Sequence, residues 1–448
     1  MTNARTKPEP PGPKPLRQGP RPFGLHLGMG MAILLSSPAA LPLLNANWPH
    51  WHPTVRMTAE NLRRDLRQRL GASAGPPESP PDAPLATEAF APFTLAVDRE
   101  MRRRLDRFLT GLERYRHHPY QRDIEDAPPV WREGATRLLE MGGGGKPVLF
   151  VPSLVNRGYI LDLSWRKSLL RWLAGQGGDS AGGGGIRPFL LEWGYPGVTE
   201  RGYSLSDVVA GRLVRALEAT CARVGGPVTL VGYCMGGLLA LGAALRRPDL
   251  VSGYVAMATP WDFHADDAAG AQRTAALINP FDPVMRMLGE LPVDGVQTLF
   301  ATLDPLLAYK KFSRFATMDM ASDDADDFVA LEDWLNDGVS LPAPIARECL
   351  TGWYGDNTTG RGEWRVADVL VRPADLRCRS LVIVPARDRI VPPASAAALG
   401  SVLPGATVWQ PSLGHIGMVV SGGAKAKVWA PLRDWLLSDT NGGASGGH

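Results

Sequence analysis

Three residues of this 448-residue chain have the types, order and settings of a nucleophile, an acid and a base. Cys234 stands at the centre of Gly232-Tyr-Cys-Met-Gly236, the spacing of a sharp strand-to-helix turn, with a thiol where such a turn more often carries a hydroxyl. Asp388 follows the apolar run Leu381-Val-Ile-Val384, and His415 lies further on in Leu413-Gly-His-Ile-Gly417. The chemistry these types support is acyl transfer. The imidazole takes the thiol proton, the thiolate attacks an acyl carbonyl, and the carboxylate orients the imidazole. The tetrahedral oxyanion then needs two backbone N–H donors. Met235, directly after the nucleophile, is one candidate. The loop Pro152-Ser-Leu154 supplies the other, with Leu154 the residue selected. Alone, each feature has a plain structural reading: a buried cysteine, a capping carboxylate, a loop histidine. Together and in this order they favour catalysis, and the other seven histidines have no comparable setting.

The elements around these residues follow from pattern. Val228, Leu230 and Val231 read as a buried strand before the turn, and Leu238 to Leu241 as the start of a helix after it. The amino end of that helix favours a thiolate. Strands are expected at 130–140 (two, around Gly134), 148–151, 188–193, 253–258, 380–385 and 406–409. Helices are expected at 161–174, 205–224, 394–402 and 424–437. This alternation predicts a mainly parallel, doubly wound sheet. The order nucleophile, acid, base makes it an α/β-hydrolase fold.

The organisation expected is a disordered basic, proline-rich tail at 1–24, a helical N-terminal extension at 25–128 with a linker at 72–84, a first part of the core at 129–261, a large helical cap insertion at 262–376, the second part of the core at 377–438, and a disordered tail at 439–448. The cap would shape an apolar pocket and exclude water. Within the extension, helices are expected at 54–70 and 94–116. The second places Met101, Leu105, Phe108, Leu112 and Tyr115 on one face. Its opposite face carries Arg102, Arg103, Arg104, Arg107 and Arg114, a solvated face or one attracted to acyl-CoA phosphates. The run Gly142-Gly-Gly-Gly-Lys146 lacks phosphate-loop spacing and is a turn.

A hydrophobic content of 44% and a charged content of 21% suit a globular protein. The net charge is only +3, so nothing calls for nucleic acid. Cys221, Cys234, Cys349 and Cys378 are widely spaced, which fits neither a disulfide framework nor a zinc site, and no metal is expected. A reducing cytoplasm suits that pattern. Residues 25–44 (from Leu25 to Leu44) form a mostly apolar run interrupted by His26, Ser36, Ser37, Pro38 and Pro42. A helix packed on the main domain, or lying on a membrane or polymer-granule surface, is favoured over a span or an export signal.

With these residues in place, the chain resembles the polyhydroxyalkanoate synthases. The nucleophile box Gly232 to Gly237 is similar to that family's G-x-C-x-G-G. The run Val151-Pro-Ser-Leu-Val-Asn-Arg-Gly-Tyr-Ile-Leu-Asp-Leu163 resembles its V-P-P-x-I-N-(K/R)-x-Y-I-L-D-L. Glu192-Trp-Gly-Tyr-Pro196, Thr259-Pro-Trp-Asp-Phe263, Trp334-Leu-Asn-Asp337 and Gly414-His-Ile-Gly417 fit as well. Ser153 stands where the family usually has proline, and Glu192 where it often has aspartate. The likeness implies that Cys234 accepts a hydroxyacyl group from coenzyme A, that His415 activates the cysteine, and that Asp388 helps activate the incoming hydroxyl. Coenzyme A would enter as part of the substrate, with no separate cofactor. It also implies a polyester product and a homodimer or a second synthase subunit. Two alternatives stay open: a cysteine hydrolase acting on thioesters or esters, including polyester depolymerases, and a non-catalytic granule-surface protein. Acyl chain length is not legible in the residues.

Overall fold

A computed structural model describes residues 16–37, 53–70, 87–176 and 183–438. The expected linker at 72–84, the tail at 439–448, residues 1–15 of the first tail and residues 38–44 of the apolar run lie outside the described residues.

Eight strands form one sheet: β1 (Pro129–Glu133), β2 (Thr136–Glu140), β3 (Lys146–Val151), β4 (Ile186–Glu192), β5 (Val228–Tyr233), β6 (Val251–Met257), β7 (Arg379–Ile383) and β8 (Thr407–Trp409). Their spatial order is β1-β2-β4-β3-β5-β6-β7-β8. The β1–β2 hairpin joins β4 antiparallel, and every pair from β4 to β8 is parallel. The strand order reverses at β3, which lies between β4 and β5. A crevice therefore opens between the carboxyl ends of β3 and β5, where open α/β sheets place their sites.

Period-two alternation builds a core on each face of this sheet. Leu149, Val151, Leu230 and Val382 face one side and pack with the helices Val214–Val224 and Met235–Arg246. Val148, Phe150, Val231 and Ile383 face the other and pack with Leu169, Trp172 and Leu432. Both faces are covered, so the strands read as continuous apolar runs.

One expected helix is absent in part. Residues 161–174 hold a short 3-10 turn, Gly158–Leu161, and then a helix only at Leu169–Leu173. Asp162 is the reason. Its buried carboxylate accepts from Ser168 Oγ at 2.5 Å and from Arg171 Nε at 2.9 Å, and Ser168 caps the helix by accepting from the Arg171 amide. An Asp–Ser pair that satisfies turn and cap groups competes with a continuous helix.

The described residues fall into two compact units. The larger comprises Tyr120–Leu303 and Asp327–His448 and contains the sheet. Its insertion leaves after β6 and returns before β7, with helices such as Ala268–Ala276, Asp282–Leu288 and Val293–Ala301.

The smaller unit comprises Met1–Pro119 and Asp304–Asp326. Residues 304–326, expected within the cap, thus group with the N-terminal helices. The helix Thr87–His117 begins earlier than expected because Pro92, inside it, reads as a boundary. It crosses the helix Leu307–Phe315 in backbone contact: a Cβ on Gly111 would lie 1.9 Å from the Phe312 carbonyl oxygen. Phe108 and Tyr115 make edge contacts with Tyr309 and Phe312, each at 5.5 Å. The helix Phe23–Ser36 packs Gly30 against the Phe108 ring. No helix among the described residues is long and apolar enough to cross a membrane.

Candidate active site

The turn after β5 carries Cys234 at φ 57° and ψ −130°, a region L-residues rarely occupy. Such backbone costs on the order of 1–3 kcal/mol and persists only when its surroundings hold it. Here the Cys234 amide donates to the Met257 carbonyl at 2.8 Å, tying the turn to β6. Two glycines let it close. A Cβ on Gly236 would lie 2.0 Å from the Val151 carbonyl oxygen, and one on Gly237 1.9 Å from Thr259 Oγ1. The first contact also shows that the start of the Pro152-Ser153-Leu154 loop runs against the first turn of the elbow helix.

Asp388 and His415 come from the loops beyond β7 and β8. These loops pair through Ala386 N–H to Pro411 O and Arg387 N–H to Leu413 O, each 2.9 Å. His415 Nδ1 meets Asp388 Oδ2 at 2.7 Å, and both residues are buried. The other oxygen, Asp388 Oδ1, accepts from the Ile390 and Val391 amides at 2.8 and 2.9 Å. The carboxylate is therefore aimed by backbone. The Tyr233 hydroxyl donates to the His415 carbonyl at 3.2 Å, and the two rings lie 5.2 Å apart.

The imidazole also interacts electrostatically with the half-buried Cys234 thiol. Burial alone would lower the His415 pKa. Charge on Cys234, with the hydrogen bond to Asp388, outweighs that and raises it to about 10. Residues separated by 27 and 154 positions in sequence thus come near one another.

Met235 and Leu154 are the two expected oxyanion donors. As the first residue of its helix, Met235 has no intrahelical acceptor for its N–H. Among the described residues nothing accepts the Leu154 N–H.

Several residues near this point carry no signal in the sequence that singles them out. Tyr354 is half-buried, its phenol pKa pushed up first by burial and then by charge on Cys234. Its place is set by Phe263, whose ring makes an edge contact at 4.8 Å, and by His264, which bonds its carbonyl at 2.9 Å. Arg157, Glu192 and Asp337 lie in the family-like motifs, but the motifs alone give them no role. A cleft of about 1110 Å³ lies elsewhere, near the amino ends of β6 and β7, lined by Arg246, Val251, Val369 and Cys378 among others. Volume alone does not mark the reactive centre in this molecule.

Comparison with known proteins agrees with the geometry. The model of the alpha/beta hydrolase fold family matches residues 146–418, so the chain belongs to that family. Poly(3-hydroxyalkanoate) polymerase subunit PhaC of Synechocystis is 33% identical over 301 residues, which cover 65% of this chain and 77% of that protein. This chain belongs to the poly(3-hydroxyalkanoate) polymerase family. The PhaC subunit of Allochromatium vinosum is 28% identical over 297 residues, covering 65% of this chain and 80% of that one. Among solved structures, an alpha/beta hydrolase fold protein from Nakamurella multipartita matches at 14% identity and a TM-score of 0.42, covering 70% of this chain and 99% of its own. The polymerase relatives cover about two thirds of the chain, much the same share as the hydrolase-fold match.

Proposed function

We propose that this polymerase-family chain takes hydroxyacyl groups from hydroxyacyl-coenzyme A and joins them into polyester, with Cys234 as nucleophile, His415 as general base and acid, and Asp388 as the residue that orients His415. The observation that carries the reading is the buried His415–Asp388 pair at 2.7 Å, in contact with the elbow thiol. The raised pKa of His415 suits it to take the thiol proton. The sulfur adds to the thioester carbonyl carbon. The oxyanion is held by the Met235 and Leu154 amides, the bond to the coenzyme A sulfur breaks, and His415 returns a proton to the departing thiol. Exchange of one thioester for another is nearly isoenergetic, which suits a cysteine. A hydroxyl from the growing chain then attacks the acyl-cysteine, His415 takes its proton, the acyl–sulfur bond breaks to free Cys234, and an ester bond forms. In this reading Asp388 also helps activate that hydroxyl.

The partners in this reading are hydroxyacyl-CoA, the polyester, and a homodimer or second synthase subunit. The place of work is the surface of a polymer granule in the cytoplasm. No cofactor is needed beyond the coenzyme A of the substrate.

The test is coenzyme A release from 3-hydroxybutyryl-CoA, followed with a thiol reagent while turbidity is recorded. Release with rising turbidity, both abolished in Cys234→Ala, is the expected result. Release of coenzyme A and free hydroxy acid without polymer would replace this reading with a thioesterase.

A further inference from the structure

The loop that carries Leu154 is held by a short stretch of the insertion. Leaving β3, Pro152 O accepts from Trp193 Nε1 at 3.0 Å, and the Val155 amide donates to Ser153 Oγ at 3.3 Å. From there the partners come from residues 334–339. Val339 N–H donates to Val155 O at 3.2 Å, Asn156 pairs with Gly338 in an isolated antiparallel bridge, and Trp334 Nε1 donates to Arg157 O at 2.7 Å. Three successive loop residues are thus stitched to one strip of the insertion, starting one residue after Leu154.

Side chains fix the strip in turn. Arg157 Nε donates to the buried Glu192 at 2.9 Å, and the same carboxylate accepts from the Gly158 and Gly194 amides. On its outer side Arg157 Nη1 lies 3.7 Å from Asp337, while its guanidinium lies over the Tyr195 ring at 5.1 Å. Asp337 also accepts from the Tyr195 hydroxyl, and its charge acts on the Tyr159 phenol. Glu192 is sealed inside; the Asp337 side chain is 33% exposed. Removing the Asp337 carboxylate therefore leaves the buried Arg157–Glu192 pair intact. It frees the side chains that hold the strip beside Gly338.

We propose that Asp337 is a positioning residue for acyl transfer: by clamping the 334–339 strip through Arg157, Tyr159 and Tyr195, it fixes the loop whose Leu154 amide faces the developing oxyanion. The proposal rests on the acyl-transfer reading above. Its consequence is selective. Steps that pass through a tetrahedral oxyanion depend on Asp337, and direct displacement at the Cys234 sulfur does not. Loss of one oxyanion donor costs roughly 100- to 1,000-fold. A donor displaced but present should cost less, about 10- to 100-fold.

The experiment compares two reactions of Cys234 in the full chain. Acylation by p-nitrophenyl acetate forms a bond from sulfur to the carbonyl carbon and expels nitrophenolate through an oxyanion. Alkylation by iodoacetamide displaces iodide from a methylene carbon with no oxyanion. In Asp337→Ala, acylation should fall about 10- to 100-fold with little change in apparent ester affinity, and alkylation should stay within about twofold of wild type. Asp337→Asn, which keeps an acceptor for Tyr195, should fall between. Equal loss of both reactions, or undiminished acylation, would overturn the proposal. A wild-type enzyme that is alkylated at Cys234 but never acylated, by this ester or by 3-hydroxybutyryl-CoA, would overturn the acyl-transfer reading itself.

Discussion

Replacing Asp388 by asparagine changes one atom and should disable the first chemical step. Oδ1 of Asp388 accepts from two backbone amides, at 2.8 and 2.9 Å, and only an acceptor can keep those bonds. The asparagine oxygen must therefore stay where Oδ1 is, and its NH2 group must take the place of Oδ2, 2.7 Å from His415 Nδ1. A donor now faces Nδ1. The imidazole answers by carrying its proton on the other nitrogen, which points a hydrogen at Cys234 where a lone pair is needed. The same aspartate-to-asparagine change in a serine protease triad costs about 10⁴ in rate, through the same wrong tautomer. An expected loss of about 10³- to 10⁴-fold corresponds to about 4–5.5 kcal/mol. With the carboxylate gone and burial unchanged, the His415 pKa should also fall from about 10, since Asp388 is one of the groups that raise it. Rapid-quench measurement of the first coenzyme A released per enzyme, against later turnover, reads the two steps apart. The burst itself should slow. A burst at the wild-type rate followed by failed elongation would refute the tautomer reasoning and leave Asp388 acting on the incoming hydroxyl alone.

Two further outcomes follow from the elbow and its histidine. Gly237→Ala drives a methyl group to 1.9 Å from Thr259 Oγ1, an overpacking that should cost about 1–3 kcal/mol. Because the Thr259 hydroxyl has no partner among the described residues, adding Thr259→Ala should restore part of that loss, read as a positive coupling in denaturant melts. Additive single-mutant effects would show that the contact is not the cause. His415, whose folded pKa lies above its ordinary 6.5, contributes stability that is complete below about pH 6.5 and fades as pH rises toward 10. The melting temperature should therefore fall over that window in wild type and fall less in Asp388→Asn; parallel curves would contradict the raised pKa.

The centre is legible because its signals are local. Glycines flank Cys234, an apolar strand precedes Asp388, and glycines flank His415, each readable within a dozen residues. What escapes is long-range. Arg157, Glu192 and Asp337 stand 35 and 145 positions apart, and no periodicity joins them. Glu192 looks like a departure from a motif, yet its carboxylate gathers Arg157 and two amides. Asp162 reads as one more residue of an amphipathic helix, because nothing adjacent shows that its carboxylate is buried against Ser168 and Arg171. The membership of residues 304–326 is equally hidden. They read as part of the insertion, since a sequence does not say which distant helix the apolar face bearing Phe312 and Phe315 will meet.

That last membership bears on how the chain comes off the ribosome. The helix Thr87–His117 is complete roughly 190 residues before Leu307–Phe315, the helix that covers Phe108 and Tyr115, has been made; at translation rates of about 5–20 residues per second that is a wait of about 10–40 s. Through that interval Phe108 and Tyr115 lack the rings that Leu307–Phe315 brings to them, an opening for chaperones and for aggregation. The larger unit, too, has its strands interrupted until β7 and β8 emerge. The smaller unit is thus a late-closing body, and deleting residues 1–119 would not remove a self-contained appendage: it would strand Phe312 and Phe315 without the surface they fold against.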